Sequence, residues 1–320
     1  MKQERLSAEQ HEQLERLFGD ALRCDVPLAP YTSSRIGGAA DFLLEPSSAT
    51  LLGQTARDLW AAGIPFRILG GGSNVLVADN GVREVVLLNK ARERRFYEDE
   101  AGPQIWAESG ATLGTLARLA AERGWSGLEW AATVPGTLGG AVVGNAGAHG
   151  SDISSNLSVA EILQQGKQAQ VWACEQLEYD YRSSRLKRDP GQFVVLTATL
   201  GVERSTAEAC KQRMREYSAL RTKTQPAGAS MGSMFKNPPG NYAGRLIEQA
   251  GLKGYRQGRV QISEQHANFF INHGDGIAQD VWRLITEVRE RVFRQFDIRL
   301  ELEIELLGDW AFNGDQVLEG

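Results

Sequence analysis

Residues 134–150, VPGTLGGAVVGNAGAHG, have the composition of a backbone segment that binds a ligand. Six of these seventeen residues are glycine, and none is Asp, Glu, Lys or Arg. Because glycine loses much backbone entropy on folding, a segment so poor in side chains cannot stabilise itself by packing. Its backbone N–H groups can instead approach something large, flat or anionic. A tightly packed turn between buried elements is the alternative, and the composition alone does not decide between them.

A second glycine-rich stretch, GGGSN at 70–74, follows an apolar, strand-like run at 64–69. A dinucleotide-binding Rossmann turn leads from a strand into a helix, whose N-terminus meets the pyrophosphate. Here the loop leads into β-like residues 75–79 and a further strand-like run at 82–88, and it has no Walker A lysine. The sequence therefore argues against a Rossmann or P-loop site. It predicts a hairpin, unless the exposed amides of the loop bind a ligand.

Two further groups of side chains have functional groups suited to catalysis or binding. Ser233, Lys236 and Asn237 lie in a loop rich in Pro, Gly and Ser at 225–240, where a serine commonly makes a turn hydrogen bond. Arg182 precedes several other cations, and its guanidinium could bind a carboxylate in a bidentate manner. From the residues alone, a turn serine and a strand-end surface arginine are the simpler interpretations of Ser233 and Arg182.

Acidic residues alternate with apolar ones at 299–307, where the sequence reads RLELEIELL. A period of two places Glu301, Glu303 and Glu305 on one face of a strand. Taken alone, this pattern favours a solvated face of an edge strand. The four histidines and three cysteines have no metal-ligand spacing, so no metal site is expected.

The elements that must position these residues are a mixture of helices and strands. The first helix begins with a capping box formed by Ser7 and Gln10, and Pro27 and Pro30 end it. The remaining helices are predicted at 48–63, 112–123, 206–224, 242–250 and 278–296. Strands are predicted at 41–44, 64–69, 75–79, 82–88, 104–109, 171–173, 177–181, 193–200 and 299–307. The many neighbouring strands indicate an α+β fold, and a composition shift places a domain boundary near residue 205.

Bulk composition restricts the class of protein. The chain has 320 residues, 42% of them hydrophobic and 23% charged, which is typical of a globular protein with a sizeable core. A formal net charge of −5 argues against a nucleic-acid partner bound through a general basic field. The charged N-terminus does not resemble a signal peptide, and no apolar run reaches membrane-spanning length. The expected location is the cytoplasm, with no membrane partner.

The motifs together carry a family resemblance that no single one would establish. In chain order they are RIGG, LGGGSN, GLEWAATVPGTLGGAVVGNAGAHG, YRSS, GSMFKNPPG, YAGRLIEQAGLKG, HANFFIN and LELEIELLG. In this order, over residues 31–308, the chain resembles the UDP-N-acetylmuramate dehydrogenases, which are also called UDP-N-acetylenolpyruvoylglucosamine reductases. It is similar to the type that lacks a tyrosine-bearing loop insertion.

The resemblance implies an architecture and a reaction. The expected organisation is an N-terminal helix at 1–30, an FAD-binding domain of the PCMH or vanillyl-alcohol-oxidase type at 31–204, and a smaller α/β substrate-binding domain at 205–320. The family holds FAD non-covalently and reduces it with NADPH. Hydride then passes to the enolpyruvyl group of a UDP-sugar to give UDP-N-acetylmuramate, a precursor of peptidoglycan. We expect a monomer or a weak oligomer.

Residue roles follow from the matching motifs. The resemblance makes Ser233 the proton donor, Arg182 the group that stabilises the developing enolate, and Glu303 a carboxylate that assists proton delivery. From the rise per residue of a strand, Glu301 and Glu305 would lie roughly 7 Å from Glu303 and would raise its pKa. The residues expected to bind substrate are Lys236, Asn237, Arg221 and Tyr242. The residues expected to bind FAD are Arg35, Gly37, Gly70, Gly71, Gly72, Ser73, Asn74, Gly110, Pro135, Gly136, Thr137, Gly139, Gly140, Ala141, Asn145, Ala146 and Gly147.

Two alternatives and one departure remain open at this point. Another flavin oxidoreductase on the same fold, such as a sugar or lactone oxidase, is the nearest rival, and the GSMFKNP loop with the terminal glutamates argues against it. A non-catalytic nucleotide-binding module is the second alternative. Arg259 stands where the family commonly has glycine, which puts the geometry of its loop in doubt.

Overall fold

A computed structural model describes residues 2–100 and 102–310 of the chain. The helices of this part, α1 to α8 in chain order, are Ala8–Phe18, Ala49–Ala61, Leu113–Glu122, Leu138–Gly144, Arg185–Arg188, Ala207–Thr224, Ala243–Gln249 and Ala278–Phe296. The strands, β1 to β18, are Arg23–Pro27, Ala39–Leu44, Phe66–Leu69, Val75–Val77, Val82–Leu88, Arg94–Asp99, Gly102–Glu108, Trp125–Ser126, Gly147–Ala148, Ser151–Asp152, Leu157–Gln164, Gln170–Ala173, Phe193–Gly201, Glu203–Arg204, Arg256–Gln257, Val260–Ile262, Phe270–Asn272 and Glu305–Leu307.

Two sheets form the larger, N-terminal part of the molecule. The first has the order β1-β2-β5-β3, in which β1 is antiparallel and the other three strands are parallel. The second is an antiparallel sheet with the order β12-β11-β13-β7-β6. Ser48 caps helix α2, because its hydroxyl accepts a hydrogen bond from the Leu51 amide. Its buried Leu52 and Leu59 pack with residues of both sheets and so join them.

The C-terminal part is built around helix α8, which packs on α7 and on the sheet β15-β16-β17. The buried stripe of α8 shares one apolar core with Phe235 and Phe270. Strand β18 pairs in parallel with β4, which directly follows the GGGSN loop. The C-terminal end of the described chain is thereby anchored beside that loop.

Several sequence-based predictions are confirmed by the structure. The capping box of Ser7 and Gln10 is present, and the helices expected near 48–63, 112–123, 206–224, 242–250 and 278–296 are formed. Glycine-terminated ends occur as expected, since Gly63, Gly124 and Gly251 all have positive φ. The C-terminal ten residues of the expected substrate domain, 311–320, lie outside the described residues.

Other predictions were wrong, and each has a local reason. The first helix ends at Phe18, and Arg23–Pro27 form strand β1 because they can pair with β2. The stretch at 70–74 is no hairpin, since β3 and β4 belong to different sheets. Residues 177–181 form no strand, and only Glu305–Leu307 of the expected strand at 299–307 pair in a ladder.

The glycine-rich segment at 134–150 also differs from its expected form. It contains helix α4, Leu138–Gly144, which is capped where the Gly140 amide donates to Thr137 Oγ1. Leu138, Ala141 and Val142 are buried in the core beneath the second sheet. Tertiary packing of these three apolar side chains outweighs the low helix propensity of the glycines.

Candidate active site

The two glycine-rich stretches lie against each other. Ser73 Oγ donates to the Pro135 carbonyl oxygen at 3.2 Å. A Cβ on Gly70 would lie 2.4 Å from Thr137 Oγ1, and a Cβ on Gly71 would lie 3.0 Å from the Gly136 Cα. Glycine is therefore required here because two backbones approach each other more closely than side chains allow.

The GGGSN loop retains free hydrogen-bonding capacity. Within the described residues, the amides of Gly71, Gly72 and Ser73 donate to no acceptor. Gly72 has a φ of +59°, and a Cβ there would lie 2.0 Å from the Tyr31 carbonyl oxygen. Successive unpaired amides of this kind can bind an anion such as a diphosphate. The residues present therefore fit the FAD that the sequence predicts.

Other residues predicted to bind FAD have identifiable packing contacts. A Cβ on Gly110 would lie 2.4 Å from the Ala91 carbonyl oxygen, and one on Gly139 would lie 2.9 Å from Ser109 Cβ. Gly37, with a φ of +147°, packs on Val77 in the same way. Arg35 has a φ of +57°. These contacts shape the loops, and direct contact of these residues with FAD stays a prediction.

Arg182 connects the glycine-rich segment to the C-terminal part of the chain. Its Nη2 donates to the Gly147 carbonyl oxygen at 2.8 Å, and its Nη1 donates to the Asn145 carbonyl oxygen at 3.3 Å. Asn145 is buried in the left-handed conformation, with its side-chain amide bonded to the Asp180 carbonyl. The third contact of Arg182 is an ion pair in which Nε lies 2.7 Å from Glu303 Oε1.

Glu303 is not on a solvated face, contrary to the simplest interpretation of the alternating glutamates. Its side chain is only 16% exposed, whereas that of Glu301 is 63% exposed. Burial raises the pKa of Glu303 above its ordinary value, and the positive charges of Arg182, Lys187 and Lys236 partly oppose this effect. The prediction that Glu301 and Glu305 raise this pKa was wrong, because they form ion pairs with Lys236 and Lys187.

The backbone around Glu303 is fixed from two sides. Asn74, the last residue of the GGGSN loop, donates from its side-chain amide to the Glu303 carbonyl at 3.0 Å. The Asn74 carbonyl accepts the Glu305 amide at 2.8 Å. On the other side, the Glu303 amide donates to the Met234 carbonyl at 2.9 Å, which places Glu303 across from the residue that follows Ser233.

Ser233 lies in a segment that is bonded to neighbours on both sides. It forms a bridge with Phe269, and Phe235 forms one with Leu302. Asn268, buried at 2% exposure, accepts the Phe235 amide and donates to the Phe235 carbonyl. Rigid support of this kind allows a weakly acidic hydroxyl to hold one position.

The four residues predicted to bind substrate occupy different environments. Lys236 forms an ion pair with Glu301 at 3.1 Å and lies near Glu303. Asn237 Oδ1 accepts the Ala243 amide and so caps helix α7. Tyr242 is 68% exposed. Arg221 is more deeply placed and donates to the Thr133 carbonyl oxygen.

Sequence reasoning left two residues that organise this site without a defined role. Asn268 belongs to the HANFFIN motif but received no firm role, and Lys187 appeared to be one of several surface cations. Arg259, the departure from the family pattern, bonds to the carbonyls of Gly274 and His273 and so holds its own loop. The described ranges contain no group of three or more His, Cys, Asp or Glu side chains that could hold a metal ion. None of the helices in those ranges is long and apolar enough to cross a membrane.

Comparisons with known proteins show which family the chain belongs to. A family model described as an FAD binding domain matches residues 40–167, and one described as UDP-N-acetylenolpyruvoylglucosamine reductase, C-terminal domain, matches residues 224–307. The UDP-N-acetylenolpyruvoylglucosamine reductase of Rubrobacter xylanophilus is 43% identical over 296 residues, which are 92% of this chain and 98% of that protein. The protein of the same name from Synechococcus sp. is also 43% identical over 296 residues, covering 92% and 94%.

Among solved structures, the UDP-N-acetylenolpyruvylglucosamine reductase of Thermus caldophilus aligns with a TM-score of 0.75 at 36% identity. The alignment covers 89% of this chain and 99% of that chain. Together with the family models, this similarity confirms the predicted fold: an α+β chain with a PCMH-type FAD-binding domain and a smaller C-terminal domain. The boundary drawn at residue 205 stays a prediction.

Proposed function

Because this chain belongs to the UDP-N-acetylenolpyruvoylglucosamine reductase family, we propose that Ser233, Arg182 and Glu303 deliver the proton in its reaction. The protein is an FAD-containing oxidoreductase that reduces UDP-N-acetylglucosamine enolpyruvate to UDP-N-acetylmuramate in peptidoglycan synthesis. NADPH is its proposed reductant, and the cytoplasm, where this precursor is made, is its proposed location.

The two glycine-rich stretches would hold the cofactor. FAD, when bound, supplies the hydride that one carbon of the enolpyruvyl double bond receives. We assign its diphosphate to the unpaired amides of the GGGSN loop and to the neighbouring residues 135–141. Residues 145–147 would lie nearer the reacting end, where Arg182 donates to the carbonyls of Asn145 and Gly147.

Arg182 stabilises the charge that develops on substrate. Hydride addition to one carbon leaves a carbanion at the next, and its charge spreads into the adjacent carboxylate as an enolate. A guanidinium fixed by two carbonyls and one carboxylate is oriented before substrate arrives, so little reorganisation is needed during the reaction. A lysine could not make the same three contacts, because its ammonium lacks the planar fork.

Ser233 gives its hydroxyl proton to the carbanion, and a new C–H bond forms as the O–H bond breaks. Glu303, buried and with a raised pKa, is suited to supply a proton in this environment, and Arg182 and Lys236 stabilise negative charge nearby. The substrate diphosphate and sugar are assigned to Lys236, Asn237, Arg221 and Tyr242. The single observation that carries this proposal is the Arg182–Glu303 ion pair, placed beside the backbone that follows Ser233.

The test separates the two half-reactions of a Ser233→Ala variant under anaerobic conditions. NADPH should still bleach the flavin absorbance, because that step requires no proton from Ser233. Re-oxidation by UDP-N-acetylglucosamine enolpyruvate should slow by about 10²–10⁴-fold, the usual effect of losing a positioned acid. Re-oxidation at the wild-type rate would show that the proton comes from another group.

A matched control is Ser230→Ala, in the same loop. The Ser230 backbone carbonyl accepts a hydrogen bond from Ser33 Oγ, and this contact survives removal of the Ser230 side chain. Both half-reactions should therefore remain close to the wild-type rates. A variant that slows both half-reactions equally would indicate damage to the loop rather than loss of an acid.

A further inference from the structure

Lys187 makes two polar contacts that join separate parts of the candidate site. Its Nζ lies 2.8 Å from Glu305 Oε1, and it also donates to the Arg182 carbonyl oxygen at 3.3 Å. The side chain is 21% exposed, in contrast to the more exposed Arg185 and Arg188 of the same short helix. Those two arginines pair with Glu178 instead.

The helix that carries Lys187 is itself firmly placed. Ser184 is fully buried, donates from its hydroxyl to the Val143 carbonyl at 2.6 Å, and accepts the Lys187 amide at 3.2 Å. This cap ties helix α5 to α4 within the glycine-rich segment. Lys187 therefore extends from a fixed base.

Both partners of Lys187 matter for the placement of the ion pair. Arg182 has a φ of +56°, a left-handed conformation that is unfavourable for a non-glycine residue and persists only when its surroundings enforce it. Glu305 opens strand β18, two residues after Glu303 in the same segment. The Lys187 ammonium thus contacts both the backbone of Arg182 and the first residue of β18, the strand that follows Glu303.

We propose that Lys187 is a positioning residue for the reduction, which holds Arg182 and the Glu303 segment in the register that lets their side chains pair. This inference rests on the proposed roles of Arg182 and Glu303. It adds a residue that, in the described structure, forms no hydrogen bond or ion pair with Ser233 or with the Arg182 guanidinium. Burial raises the pKa of Glu303, and the positive charges of Arg182, Lys187 and Lys236 lower it. Lys187 therefore also influences this pKa.

The experiment compares Lys187→Met, Lys187→Arg and the matched control Arg188→Met in the FAD-loaded enzyme. Lys187→Met should leave flavin reduction by NADPH unchanged and slow re-oxidation by the enolpyruvyl substrate by about 10–100-fold, through kcat more than KM, because the pair is misplaced. The pH limb of re-oxidation, over which the rate declines as pH rises, should move upward, since one charge that lowers the pKa of Glu303 is lost. Lys187→Arg should recover most of the rate, and Arg188→Met should match wild type.

A measurement independent of turnover uses thermal unfolding. If Lys187 joins the two segments through Glu305, the Tm losses of Lys187→Met and Glu305→Gln should not add in the double variant. Additive losses, an unshifted pH limb, or a rate that Lys187→Arg fails to restore would each overturn the proposal. If instead the proposed roles of Ser233 and Glu303 were wrong, the reduced flavins of Ser233→Ala and Glu303→Gln would be re-oxidised at the wild-type rate.

Discussion

Replacing Arg182 by lysine keeps a positive charge but removes the planar fork that three acceptors share. The present contacts are to Glu303 Oε1 at 2.7 Å, to the Gly147 carbonyl at 2.8 Å and to the Asn145 carbonyl at 3.3 Å. A lysine is shorter and its ammonium is a compact point charge, so it cannot reach all three. The variant must lose at least one charge-assisted hydrogen bond, each worth about 1.5–3 kcal/mol.

The kinetic consequence follows from where that group acts. Loss of one preorganised donor at a site of developing negative charge costs about 2.7–4 kcal/mol, which corresponds to a factor of about 10²–10³. We therefore expect Arg182→Lys to slow re-oxidation of the reduced flavin by about that factor. Reduction of the flavin by NADPH should persist, because no negative charge develops on an enolate in that half-reaction.

The assay is anaerobic stopped-flow absorbance at the flavin band, with NADPH and enolpyruvyl substrate mixed in turn. Arg188→Lys is the matched control, since Arg188 bonds to Glu178 on the surface of the same stretch. It should change neither half-reaction. If Arg182→Lys re-oxidised as fast as this control, the guanidinium fork would not stabilise the enolate, and the reasoning from its three contacts would be refuted.

Three further outcomes are expected. Gly72→Ala should reduce the FAD content of the purified protein, measured by absorbance, because its Cβ would lie 2.0 Å from the Tyr31 carbonyl; Gly63→Ala, with a similar φ but open space, should not. Asn268→Ala should lower the free energy of unfolding by about 2–4 kcal/mol in denaturant titration, because two buried backbone groups of Phe235 lose their partner. Re-oxidation should decline as pH rises through the raised pKa of Glu303, since the protonated fraction falls, and a pH profile of Glu303→Gln should lack this limb.

Local patterns predicted those elements whose determinants are local. The capping box at Ser7 and the apolar stripe of α8 specify helices through contacts within a few residues, and both helices are present. Strand β1 could not be recognised in this way. Only one of its five residues is buried, and its pairing with β2 across a loop decides its conformation. Helix α4 could not be predicted from its glycine-rich sequence either, because its stability comes from packing on the core that it covers.

The site shows a similar division between local and distant information. The family resemblance singled out Glu303, whereas the alternating pattern around it indicated a solvated strand face. Its buried carboxylate pairs with Arg182, which lies 121 positions earlier in the chain, and no period-two pattern contains such a contact. The role of Asn268 was missed because its partners are the backbone amide and carbonyl of Phe235, and backbone groups carry no sequence signal. The role of Lys187 was missed because it pairs with Glu305, which is distant in the chain, and with the backbone carbonyl of Arg182.

The glycine-rich stretches and the proposed proton-delivery residues form one connected unit. Arg182 is oriented by the carbonyls of Asn145 and Gly147, and the backbone of Glu303 is held by Asn74. A change in either stretch can therefore displace the ion pair even where the cofactor still binds. Flavin content alone consequently cannot distinguish a cofactor-binding residue from one that places Arg182 or Glu303. The two half-reactions can, because an effect on proton delivery slows re-oxidation and leaves reduction by NADPH intact.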